Sequence, residues 1–257
     1  MDKKTFIKRF DFCNKSEILP IYDKINLAKK TNNTVYTSIF YTPNVWKTLE
    51  GLKEEIGLNI CSCGIFEDAE RKLIAFSKFD VRNYPIKLME IKCKSKFAKL
   101  QHKDYLGALM TLGLKREKFG DLILKEDKQC YLAVCEDISE YVEMNLNSVG
   151  KSSCKVNVLD ISSAEIPLYN FKTSVLNVSS LRIDCLVSSL CNISRKKSQE
   201  MIKQGKVLLN YLPETKKDKS IEDNCIITVR GCGKFKVVGE TGWTGSGRCK
   251  LFIKKFS

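Results

Sequence analysis

The densest chemical signal in this chain is Ser194-Arg195-Lys196-Lys197. Ser194 reads as a helix N-cap, which puts the three cations in the first turn of a helix running to Lys203 or Gln204. Gly205 follows where a left-handed residue would end that helix. Cations in a first turn have the wrong sign, because a helix N-terminus already carries about half a positive charge. An external anion would correct the imbalance, and a nucleic-acid phosphate suits both a helix start and a cluster of Lys and Arg. Arg182, Lys203, Lys206 and Arg230 can extend the same patch. On this reading, replacing Arg195, Lys196 and Lys197 by Glu leaves the free protein no less stable. The plainer alternative is a solvated cationic helix face, tolerated at a few tenths of a kcal/mol per charge.

Other reactive residue types give less. His102 is the single histidine, which excludes a metal centre built on several imidazoles. It stands at the start of a helical pattern, just before Asp104, where packing or capping suits it better than catalysis. The twelve cysteines are scattered, with no CxxC pair and no zinc-ribbon spacing. Cys93, Cys130, Cys135, Cys185 and Cys225 sit beside aliphatic or aromatic neighbours, as reduced cysteine used as a small hydrophobe does. The glycines of Arg230-Gly231-Cys232-Gly233 and Gly242 to Gly247 do not lie between a strand and a helix, so they read as turns rather than a nucleotide loop. The expectation is therefore no catalytic residue, no metal, no cofactor and no small-molecule substrate.

Charge points the same way. The chain has 257 residues, a formal net charge of +14 and 43% hydrophobic residues, a globular composition that favours a polyanionic partner. Residues 181–257 hold sixteen Lys and Arg against seven Asp and Glu. No apolar run is long enough to span a bilayer, and MDKKTFIKRF lacks a signal-peptide core, so a cytoplasmic location without membrane association is expected.

The elements that must position these residues make an α+β protein. Residues 1–82 read as a mixed N-terminal α/β domain. Helical spacing covers Lys3–Phe12 and Glu17–Lys30, the latter through Leu19, Tyr22 and Ile25. A strand is expected over Thr34–Tyr41, then a helix started by Pro43 and ended by Gly57, then strands at Asn59–Cys63 and Leu73–Phe76. Residues 83–165 give strand Ile86–Cys93, a helix capped by Asp104, strands Gly120–Leu124 and Cys130–Val134 about a turn at Lys125–Gln129, helix Asp137–Leu146 and strand Cys154–Leu159. That order, β-α-β-β-α-β, is ferredoxin-like and RRM-like. RNA-recognition domains stack bases on central-strand aromatics, and here only Tyr131 qualifies, so a scaffold role is expected. Residues 166–180 read as a connector, and 181–257 as two helices packed on a small sheet.

Residues 181–238 resemble an S4-type RNA-binding domain. The resemblance rests on Arg182 and Asp184, then Ser194, Arg195 and Lys197, then Ile202, Gly205, Val207 and Asn210, and Val229-Arg230-Gly231. The usual Gly-Asp before the third strand is replaced by Asp223-Asn224. The segment HKDYLGALMTLGLKREKFGDLIL (His102 to Leu124) resembles the YlmH family of bacterial S4-domain proteins, as do Phe66 to Arg71 and Asn145 to Gly150. The resemblance implies a non-enzymatic RNA-binding protein associated with the large ribosomal subunit, acting in translation, ribosome rescue or ribosome-associated quality control; a monomer is expected. It implies contacts to rRNA or tRNA phosphates by Arg182, Arg195, Lys196 and Lys197, supported by Lys203, Lys206 and Arg230, with Ser194 holding the helix end. The alternative is an RNA-modifying enzyme of pseudouridine-synthase type, for which Arg182-Ile183-Asp184 has a superficial likeness.

Thiol titration of the unfolded protein should count all twelve cysteines as free, and a zinc assay should find no stoichiometric metal. Bound zinc would overturn the reading of these cysteines as core residues.

Overall fold

In the computed structural model, residues 1–94, 100–125 and 128–256 are described. The chain is a mixed α+β protein with antiparallel sheets. Among the described residues, no helix is long and apolar enough to cross a membrane. The chain divides into two compact units, Met1–Leu168 and Tyr169–Ser257.

The first unit contains two sheets. Helices Lys3–Lys8, Lys15–Thr31, Pro43–Gly51 and Lys53–Ile56 accompany a three-stranded sheet in which Leu73–Ser77 lies between Val35–Tyr36 and Asn59–Cys63. The long helix buries Ile18, Ile21, Ile25 and Ala28, a face rotated one residue back from the Leu19–Tyr22 register expected from sequence. The strand expected over Thr34–Tyr41 is only Val35–Tyr36. Beyond it the pairing is interrupted and resumes only at a single bridge between Tyr41 and Lys72, and in the gap Phe40 N–H donates to the carbonyl of Glu117 at 2.7 Å.

The five-stranded sheet has Ile86–Cys93 in the middle, between Gln129–Cys135 and Ser152–Leu159, with Phe119–Lys125 and Ser148–Val149 outermost. Helices His102–Met110 and Ser139–Asn145 interrupt the strands in the expected order. Asp104 acts from inside its helix rather than as its cap residue: its carboxylate accepts from the backbone N–H of Gln101 at 2.8 Å. The turn expected at Lys125–Gln129 includes positions 126 and 127, which lie outside the described residues.

The two sheets are joined within one unit, so the expected boundary at 82/83 does not separate two compact bodies. The buried Asp121 carboxylate accepts from the backbone N–H groups of Glu70 at 2.6 Å and Arg71 at 3.1 Å. The segments Phe66 to Arg71 and His102 to Leu124, both singled out by resemblance, therefore meet at one carboxylate. Gly120 lies one residue before it and packs against Phe40 and Ala133.

The second unit is a six-stranded antiparallel sheet carrying two helices, Ile183–Cys191 and Arg195–Lys203. Its strands run in the order Leu212–Pro213, Val207–Leu209, Cys225–Val229, Gly233–Trp243, Cys249–Phe256 and Phe171–Val178. Residues 166–180, expected as a connector, thus contain an edge strand paired along its whole length with Cys249–Phe256. Its accessible Thr173, Ser174 and Asn177 hide the strand period, because only Val178 is buried. Asn192 (φ 50°) and Gly205 (φ 65°) supply the left-handed residues after the two helices, and Asn224 (φ 59°) does so in the turn that lacks Gly-Asp.

All twelve cysteines are buried or half-buried, and burial pushes the Cys135 and Cys225 thiols up to about 12.

A Cβ at Gly120 would lie 2.9 Å from the Ala133 Cβ and 3.0 Å from the Phe40 ring. Gly120→Ala should therefore destabilise the protein by about 1–3 kcal/mol in urea unfolding. A loss below about 0.5 kcal/mol would show that Phe40 yields freely and that the approach is not a constraint.

Candidate nucleic-acid interface

Asp184 lies in the first turn of helix Ile183–Cys191, where a carboxylate complements the positive helix end. It has no solvent exposure, yet it is charged. Arg182 donates from Nε to Oδ1 at 3.1 Å and from Nη2 to Oδ2 at 3.2 Å. Arg195 Nε donates to Oδ2 at 3.0 Å, and Gln199 Nε2 to the same oxygen at 2.8 Å. The Asp184 carbonyl accepts from Ser198 Oγ at 2.8 Å, which ties the second helix to the first. Burial opposes ionisation here, but the bonds from Arg182, Gln199 and Arg195 outweigh it and hold the carboxyl well below the usual carboxylate range.

The consequence for the arginines is orientation. Their side chains keep 37% and 52% of their surface exposed, so each is held from below and open above. A guanidinium has five donors in a fixed plane, and the carboxylate takes two from Arg182 and one from Arg195. The remaining donors suit an external anion such as a phosphate.

This geometry corrects one part of the sequence argument. Arg195 is not an uncompensated cation at a helix start, because Asp184 is its internal counter-ion. Sequence distance hides the pairing, since eleven residues and a turn separate the partners. Lys196 and Lys197 keep the predicted character: both are exposed, and neither forms an ion pair among the described residues. Ser194 caps the helix as expected, its Oγ accepting from Lys197 N–H at 3.2 Å.

The predicted residues fall into two groups. Arg182, Ser194, Arg195, Lys196 and Lys197 gather around the start of the second helix. Lys203 ends that helix, roughly 12 Å away by its rise of about 1.5 Å per residue. Lys206 and Arg230 share that far side, where Arg230 N–H donates to the Lys206 carbonyl at 2.9 Å.

Sequence reasoning missed a third contributor. The loop Thr215-Lys216-Lys217-Asp218-Lys219-Ser220 lies beside the first helix start. Ile183 N–H donates to the Lys219 carbonyl at 2.9 Å and Asp184 N–H to the Lys217 carbonyl at 3.3 Å. Arg182 forms a bridge with Ser220. The loop's carbonyls occupy the helix start, and its lysines are exposed next to Arg182. The signal available in sequence was the charge run itself.

The first unit differs in electrostatic character. On the central strand of its larger sheet, Glu90 is buried and receives bonds from Tyr131 Oη at 3.2 Å, Asn157 Nδ2 at 3.4 Å and Gln129, with Lys92 Nζ at 2.9 Å. A satisfied carboxylate at the sheet centre repels phosphate, and Tyr131, the one aromatic that could stack a base, is committed to it. His102 opens its helix half-buried; burial, helped by the Arg116 charge, pushes its imidazole below the usual value, with Asp121 opposing.

Residues 80–163 match a family model described as "Putative RNA-binding domain in YlmH". Over 209 residues the chain is 29% identical to the "Ribosome-associated protein quality control protein P2" of Bacillus subtilis (strain 168), covering 79% of this chain and 81% of that protein. These matches support the YlmH family. A solved structure, "Cell division protein ylmH from Streptococcus pneumoniae", aligns with 22% identity and a TM-score of 0.47, over 60% of this chain and 98% of that one. The YlmH match covers the first unit's larger sheet, while the Asp184 cluster lies outside residues 80–163.

The pairing separates two charge reversals that sequence alone treats as one. Lys196→Glu/Lys197→Glu should leave the melting temperature unchanged or slightly raised, because carboxylates suit a helix start. Arg195→Glu should cost about 1.5–3 kcal/mol, the worth of a hydrogen bond to a charged group, since it sets a second carboxylate against buried Asp184. Equal stabilities for the two variants would refute the counter-ion role.

Proposed function

We propose that this chain is a ribosome-associated RNA-binding protein whose C-terminal unit is an S4-type domain that engages large-subunit rRNA or tRNA phosphates. The observation that carries the reading is the buried Asp184 holding Arg182 and Arg195 half-exposed beside Lys196, Lys197 and the Lys216–Lys219 loop. Two helices on an antiparallel sheet, with arginines fixed at the helix starts, support the S4 assignment. The relative named for ribosome-associated quality control supports the ribosome as partner, and the YlmH match supports RNA as ligand.

Binding here is positional. Phosphate contacts set orientation on the RNA without reading sequence. A guanidinium fixed by a buried carboxylate loses less side-chain freedom on binding than a free lysine does. The first unit carries residues 80–163, which match the model described as "Putative RNA-binding domain in YlmH"; with Glu90 at its sheet centre and Tyr131 committed to that carboxylate, its contribution to RNA binding lies away from the sheet centre. The proposed role is binding without catalysis, in a monomeric cytoplasmic protein. Both Asp184 oxygens are engaged, so its carboxylate supports the arginines rather than attacking a base.

Co-sedimentation with purified large subunits across a salt series tests this. Log affinity should fall linearly with log salt, and Lys196→Ala/Lys197→Ala should flatten the slope by roughly 1.4–1.8, about 0.7–0.9 per lost phosphate contact. Arg182→Ala should weaken binding further. Subunit affinity unaffected by all three changes would sink the reading.

A further inference from the structure

The helices of the second unit cover only one face of its sheet. Along Cys225–Val229, Cys225, Ile227 and Val229 are buried, and so are Cys249, Leu251 and Ile253 of the strand two places over. The residues between them point to the other face and stay accessible. That face has an unusual composition. On Cys249–Phe256 it reads Lys250, Phe252, Lys254, Phe256, a cation and an aromatic ring alternating every two residues, roughly 6.8 Å apart.

The neighbouring strands extend the pattern. Lys236 lies directly opposite Lys254, and Phe171 directly opposite Phe256. Like charges directly opposite one another destabilise a strand pair, and neither Lys236 nor Lys254 has a carboxylate partner among the described residues. Lys254 lies instead over the Phe171 ring at 5.2 Å. The single carboxylate in the four strands that form this face, Glu240, pairs opposite Leu251, and so belongs to the helix-covered side. Asp223, from the loop before Cys225, lies against Gly239, which pairs directly opposite Phe252, so one carboxylate borders the face at that point while Lys250 and Lys254 flank Phe252 along its own strand. Phe252 stacks on no other ring among the described residues, and its cross-strand neighbour Val175 is 55% exposed.

We propose that this uncovered sheet face is a second RNA-contact surface, which takes an unpaired strand by lysine–phosphate contacts and by base stacking on Phe252. Alternating cations and accessible rings are what a single-stranded nucleic acid requires, since its phosphates and bases alternate and every base offers a flat face to a ring. Charge complementarity favours a polyanion over a neutral partner, and the aromatic share favours a partner that can stack. The surface is separate from the arginine cluster, which lies with the helices, so either site can fail without the other.

The test uses the full chain and a fluorescein-labelled twelve-nucleotide oligouridine RNA, read by anisotropy. Phe252→Leu, which keeps an apolar residue without a ring, should weaken binding about tenfold, and Phe252→Trp should preserve it. Lys236→Gln/Lys254→Gln should flatten the log affinity against log salt slope by roughly 1.4, about 0.7 per single-strand contact. Both effects should persist in a Lys196→Glu/Lys197→Glu background, which removes helix-side contacts and leaves this face intact. Thermal melts confirm that each variant is folded. Oligouridine affinity unchanged by the Phe252→Leu and lysine changes in folded protein overturns the proposal. So does binding to vesicles containing 30% phosphatidylglycerol that these changes abolish while RNA affinity stays constant.

Discussion

A carboxylate without access to water organises the cationic end of this protein. Asp184 can stay ionised in the core only because Arg182, Arg195 and Gln199 surround it, the first from the position just before its own helix and the other two from the second helix. The dependence runs both ways. Without the Asp184 carboxylate the guanidinium planes would be free to rotate, whereas the Ser198 hydroxyl, bonded to the backbone carbonyl of residue 184, would still tie the second helix to the first. A buried ion pair adds little net stability, because desolvation offsets most of the attraction. Its value here is specificity of placement: one geometry for two arginines, imposed from beneath while their upper edges remain wet.

Much of this was legible in the residues. Ile86–Cys93 was readable to the residue, because its apolar and β-branched side chains fill a central strand. The Ser194 cap, the Gly205 stop and the helix they bound were equally clear. What sequence could not give was pairing at a distance. Arg195 looks like one more cation of a basic run, and only the fold brings Asp184 under it. Lys216–Lys219 was passed over because its relevance comes from carbonyls that close a helix start more than thirty residues earlier. Phe171–Val178 escaped for a different reason: an edge strand with accessible Ser, Thr and Asn lacks the alternation that marks a half-buried one.

The first unit uses the same device for another end. Asp121 accepts two backbone N–H groups from the Phe66 to Arg71 segment and so fastens the small sheet to the large one. Glu90 gathers Gln129, Tyr131, Asn157 and Lys92 across three adjacent strands. In both places a carboxylate replaces apolar contact as the joining element, and specificity of register is the gain. These are internal uses of acid. The second unit pairs Asp184 with two arginines and leaves Lys196, Lys197, Lys216, Lys217 and Lys219 exposed, which concentrates positive potential there.

The pairing of Phe171–Val178 with Cys249–Phe256 joins residues about 70 to 85 positions apart. It is the most distant pairing in its unit, so loop-closure entropy makes it the last to form, after the local hairpins and the helix pair. Until then Cys249–Phe256 is an open edge with Leu251 and Ile253 on one side, the kind of strand that recruits other chains. Lys250, Lys254 and Lys255 interrupt it at short intervals and act as gatekeepers against that outcome. Positive charge on this strand thus protects the nascent protein from self-association before any ligand is met.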